Sequence, residues 1–188
     1  MLRLTPLALG LLGLVSFGAH SHDHDHQHAP THNAAAHQHG LGHLDLVLED
    51  QQLVLELLIP AEDLLGFEHA PQTPEQQAQL DDLQATLEQA EKLFALPAAA
   101  QCSLDSIKLQ SPLFAEPVHS GDDADAAHQH ADISAHYHFS CARVERLDQL
   151  EVILFQRFPG SARLVLQAIT PSGQYGGELS AGNNRIAL

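Results

Sequence analysis

The sequence predicts an α+β protein built of antiparallel β-sheets with one long amphipathic helix, set behind a disordered His-rich N-terminal arm. Three observations carry that prediction. Apolar and polar residues alternate with a period of two in segments such as Leu44–Leu48 and Ile133–Cys141, the signature of half-buried strands. One apolar stripe at helical spacing runs from Leu80 to Phe94. Nine histidines crowd the 24 residues from His20 to His43, and almost nothing between residues 20 and 36 could pack in a core.

Residues 1–18 read as a signal peptide: Arg3 in a charged start, an apolar run from Leu4 to Val15, and Ser16-Phe17-Gly18-Ala19 as a small-residue cleavage site. The run is too short to span a bilayer, and no other stretch approaches about 20 apolar residues. An exported chain with no stable membrane span is therefore expected. Residues 19–42 form the flexible arm and residues 43–188 a globular domain.

Order is expected to begin near His43, where Leu44, Leu46 and Leu48 alternate with Asp45, Val47 and Glu49. Residues 49–52 turn the chain, and Leu53 to Ile59 returns as a more buried strand. Pro60 to Phe67 reads as a short helical turn ending at Gly66. Thr73 caps the long helix, with Pro74 at its first position and Gln76 three after the cap. Leu80, Leu83, Leu87, Ala90 and Phe94 line its core face, and it must stop before Pro97. Cys102 to Gln110 reads as a strand, residues 111–131 as a mobile His/Asp loop, and Ile133 to Cys141 as a strand with one apolar face. Leu150 to Leu154 and Arg163 to Thr170 are further strands, with a helical turn through Phe158-Pro159-Gly160 between them. Pro171-Ser172-Gly173 turns the chain into a Gly-rich tail holding at most one short edge strand. A His-bearing strand, a turn, a Leu-rich strand and a short helix occur at 39–67 and again at 136–158, which raises a division into two pseudo-symmetric halves, 43–100 and 101–188.

Eight Lys+Arg against 24 Asp+Glu give a formal charge of −16, and no basic cluster exists to hold a phosphate backbone, so nucleic acid is excluded as a partner. Fifteen histidines point instead to a soft-to-borderline metal. Cys102 and Cys141, in a chain that leaves the reducing cytosol, predict one disulfide. The rival, a Cys/His zinc site, normally shows close Cys-x-x-Cys spacing, which these two lack. If their strands pair antiparallel across the intervening loop, the bond closes the open end of a hairpin.

Among the histidines, His136 and His138 give the most specific local signal. Residues i and i+2 of a strand project from one face about 6 to 7 Å apart, close enough for two imidazoles to reach one Zn²⁺. The alternative is a pair of exposed surface histidines. His37 and His39 repeat the spacing ahead of the first strand, where they either add ligands or only continue the arm; His43 shares that strand's outward face with Asp45. His69 stands alone in a Gly-Phe-Glu-His-Ala-Pro turn, where a structural histidine is the usual reading. His128 and His130, with Asp122, Asp123 and Asp125, form a second cluster that is either a weaker metal sponge or a solvated acidic loop. No Gly-x-Ser-x-Gly, His-Glu-x-x-His or phosphate-cradling loop is present, so no enzyme class has a signature.

The ordered string of His37-Gln38-His39-Gly40, Gly66-Phe67-Glu68-His69-Ala70-Pro71, Leu96-Pro97-Ala98-Ala99-Ala100-Gln101-Cys102, Ala135-His136-Tyr137-His138-Phe139, Phe158-Pro159-Gly160 and Ile169-Thr170-Pro171-Ser172-Gly173-Gln174 resembles the ZrgA-type periplasmic zinc-uptake proteins of Gram-negative bacteria. The resemblance implies a non-enzymatic periplasmic Zn²⁺ binder working with ABC-type transporter components. It places His39, His69, His136 and His138 in the family's motifs. Two other readings remain open: a metal buffer or resistance protein uncoupled from transport, and a zinc-dependent hydrolase.

Overall fold

The computed structural model describes residues 38–114 and 131–188. The expected signal peptide, residues 19–37 of the expected arm, and His119, His128 and His130 of the expected loop lie outside these residues.

Strands β1 (Leu41–Glu49) and β2 (Gln52–Pro60) form a hairpin in register from His43 opposite Leu58 to Glu49 opposite Gln52. Its two-residue turn needs Asp50 at φ 52°, a conformation that Asp tolerates better than most residues. The chain continues through α1 (Ala61–Leu65), α2 (Pro74–Leu87), β3 (Phe94–Ala95), β4 (Cys102–Gln110), β5 (Asp132–Cys141), β6 (Gln149–Val152), α3 (Leu154–Arg157), β7 (Arg163–Thr170), β8 (Gly173–Ser180) and β9 (Arg185–Ala187). Six strands make the main sheet in the order β4-β5-β2-β1-β7-β8, and β3-β6-β9 make a small second one. The fold is α+β and its pairings are antiparallel, except that β7 runs parallel to β1. Strands from before and after residue 100 thus share one sheet.

One face of the main sheet is core. Leu44, Leu46, Leu53, Leu55, Ile59, Ile133, Tyr137 and Leu164 are almost wholly buried there. They join one continuous apolar cluster with Leu80, Leu83 and Leu87 of α2 and with Leu150, Val152 and Ile186 of the small sheet. This is what period-two alternation demands in the inner strands β5, β2, β1 and β7, where one half of the residues leaves water and most of the other half stays at least partly in it.

Four elements differ from the sequence expectation. Strand β6, expected to reach Leu154, ends at Val152, and Leu154 opens α3. Helix α2 starts as expected, Thr73 Oγ1 accepting from the Gln76 amide at 3.2 Å, but it ends at Leu87. The stripe stays buried through Ala90 and Phe94, while the backbone turns to 3₁₀ geometry and Phe94 is captured by pairing with Val152 of β6. The second helical turn, α3, precedes Phe158-Pro159-Gly160 instead of running through it, because the residue before a proline leaves the helical region. The Gly-rich tail holds two strands: β8 pairs residue by residue with β7, from Thr170 opposite Gly173 to Arg163 opposite Ser180, so tertiary pairing overrides weak strand propensity.

Cys102 lies directly opposite Cys141 in the β4–β5 pairing, and the two form the expected disulfide.

Candidate metal-binding surface

The outward face of β5 carries Ser134, His136 and His138, while Ala135, Tyr137 and Phe139 point into the core. Tyr137 fixes this strand from below: its ring packs edge-on against Phe94 at 5.3 Å, and its hydroxyl donates to the Leu87 carbonyl at 2.9 Å. His136 and His138 therefore project to solvent from the same side of a strand clamped between β4 and β2.

Strand register decides what surrounds them. Across the sheet, one row on this face reads Lys108, His136, Glu56, Asp45 and Gln167. The next row reads Ser106, His138, Val54, Val47 and Ile169. His136 Nδ1 lies 3.7 Å from Glu56 Oε2, and its Nε2 lies 3.1 Å from Ser134 Oγ. His43 occupies the outward face of β1 two residues before Asp45, as alternation predicts. Asp45 and Glu56 border a shallow hollow of about 600 Å³ that extends toward Gln167 and Tyr175.

A second group of candidates is organised by α1 at the end of the sheet. The carboxylate of buried Asp63 accepts the Gly40 amide with both oxygens, at 2.8 and 2.9 Å, immediately after His39. The Ala61 amide donates to the carbonyl of Ala131, the residue that follows His130. Gly160 packs so closely on α1 that a Cβ there would lie 2.4 Å from the Asp63 carbonyl oxygen, so the position admits only glycine. Four residues beyond α1, His69 stacks on Phe67 at 5.4 Å and sets Nδ1 2.9 Å from the Ala70 carbonyl. A carbonyl only accepts, so Nδ1 carries the proton and Nε2 keeps its lone pair, the tautomer a metal requires. His39 itself is exposed.

Among the described residues, no three His, Cys, Asp or Glu side chains already converge in ligating positions. The structure brings His136 to Glu56 and ties the segments bearing His39 and His69 to one short helix; His37, His128 and His130 lie outside the described residues. The sequence alone does not single out Glu56 as the neighbour of His136. Its signal was present, since it is the one charged residue in the run Leu53–Ile59, but only strand register reveals its partner.

The fold and this face define an α+β sheet protein that presents imidazole and carboxylate to solvent from a rigid platform. A family model described as "ZrgA family zinc uptake protein" matches residues 36–188, and the chain belongs to that family. Comparison with curated proteins finds no match. Among the described residues, no helix is long and apolar enough to cross a membrane.

Proposed function

We propose that this protein captures Zn²⁺ in the periplasm for an ABC-type uptake system, binding it through His136 and His138, with His39 and His69 as further ligands and the arm and loop histidines as collectors. The observation that carries this reading is the pair of imidazoles side by side on the solvent face of β5, next to a carboxylate, in a chain whose two cysteines are both taken by a disulfide. With no thiolate on offer, neutral imidazole is the softest donor among the described residues. Structural zinc sites close all four positions, commonly with cysteine; an imidazole and carboxylate surface leaves a position for water or for a receiver's ligand, as a carrier requires. The formal charge of −16 concentrates cations near the protein. Imidazole alone would favour Cu²⁺ over Zn²⁺, so family membership is what points to zinc.

The test is growth of a strain lacking this gene in chelator-depleted medium. Wild-type protein should restore growth and the His136→Ala/His138→Ala variant should not. Equal rescue by both would overturn the reading, as would a strain that grows normally in zinc scarcity and fails only in zinc excess, the behaviour of a buffer.

A further inference from the structure

We infer that Glu56 is the third protein ligand of the outer sheet face, completing a His136–His138–Glu56 zinc site with Asp45 as the neighbouring carboxylate. This rests on the proposed role of His136 and His138 in binding zinc and goes beyond it by naming the group that completes the site.

Two independent features carry it. The first is the geometry at His136. In tetrahedral coordination, with zinc to nitrogen and zinc to oxygen distances near 2.1 Å, two ligand atoms stand about 3.4 Å apart. His136 Nδ1 and Glu56 Oε2 stand 3.7 Å apart, too far for a hydrogen bond and only a few tenths of an ångström from that edge. The other ring nitrogen faces Ser134 Oγ at 3.1 Å, and a hydroxyl accepts as readily as it donates, so it can take the Nε2–H when Nδ1 turns its lone pair to a metal beside Glu56. A hydrogen bond on the far nitrogen is the outer-shell support that metal-ligating histidines normally have. His138, two residues along on the same face, comes within reach by side-chain rotation.

The second feature is the carboxylate pair. Glu56 lies directly opposite Asp45, and like charges so placed in neighbouring strands repel. The row offers no cation between them: Lys108 sits beyond His136 and Gln167 beyond Asp45. A divalent cation on Glu56 offsets a repulsion that the other side chains of this row leave in place. Glu56 is also half-exposed, its side chain at 51% against 27% for His136, so it can move to an ion without disturbing the core.

The experiment uses the full chain and Co²⁺ as a spectroscopic probe, read at the first equivalent and compared with competitive zinc titration. Glu56→Gln should weaken the tightest zinc phase by at least about tenfold and change the visible Co²⁺ bands, because an oxygen ligand is lost. Wild-type affinity in Glu56→Gln would overturn the inference. Weakened affinity with unchanged bands would overturn it too, since Glu56 would then act through charge alone. The His136→Ala/His138→Ala variant separates the two levels of the argument: if it binds like wild type, the reading of these histidines fails, whereas its loss beside a normal Glu56→Gln variant refutes only the third ligand.

Discussion

Tyr137 sits between the two histidines of β5 and faces the other way. Its hydroxyl serves one of the last four carbonyls of α2, groups that have no partner inside the helix. Tyr137→Phe leaves that buried carbonyl without its donor, and a lowered urea midpoint at unchanged slope should report a loss of about 1 to 3 kcal/mol. Burial also holds the Tyr137 phenol well above its usual range. The unfolded chain gives up that proton first, so the stability linked to it is complete below about pH 10 and is lost as pH rises beyond. Stability curves should therefore fall on the alkaline side in wild type and fall less in Tyr137→Phe. At this scale the sequence was informative about residue types and silent about neighbours. Alternation placed His136, His138, His43 and Asp45 outward, but the contact of His136 with Glu56 spans two strands and follows from register. The His69 tautomer depends on one local carbonyl and was equally out of view.

Strands announced themselves better than the points where elements stop. Cys102–Gln110 and Arg163–Thr170 have the expected bounds, and in Arg163–Thr170 the reason is plain, because a strand with one buried face repeats every second residue. The end of α2 was hidden, since an apolar stripe at helical spacing reads the same whether its last residues continue the helix or are drawn into a second sheet. Strand β8 was hidden for a related reason: six of its eight residues, 173–178, are exposed, so no apolar period marks it. The disulfide was legible because export and opposed strand positions agreed. It closes a separation of 39 residues between the open ends of β4 and β5. In the chain-entropy picture, replacing both cysteines by serine should cost about 4 kcal/mol, measured by denaturant titration. Zinc binding at the outward face should survive in the folded fraction, since neither sulfur belongs to that site.

At the scale of the whole molecule, one face of the main sheet is core and the other carries the proposed zinc site. The inner face spends nearly all its residues on the core, which holds the strands in the register that aligns His136, Glu56 and Asp45 on the outer face. Zinc affinity should then follow imidazole chemistry. As pH drops through roughly 6.5, each ligating histidine must lose a proton to bind, and affinity should fall by up to about tenfold per histidine per pH unit. Binding by the 24 acidic residues alone would hold to about pH 5. Zinc titrations at pH 7.5, 6.5 and 5.5 distinguish the two.

The parallel pairing of β1 with β7 was beyond the sequence, because it joins segments more than a hundred residues apart and leaves no local mark. Family membership speaks to zinc and leaves open where on the molecule zinc binds. Calorimetric titration of Zn²⁺ into the wild-type chain and into His136→Ala/His138→Ala at pH 7.5 addresses that most directly, with circular dichroism to show that both are folded. The variant should keep its fold and the weaker phases while losing the tightest one. A variant curve that overlays the wild type would place the principal site elsewhere and contradict the account.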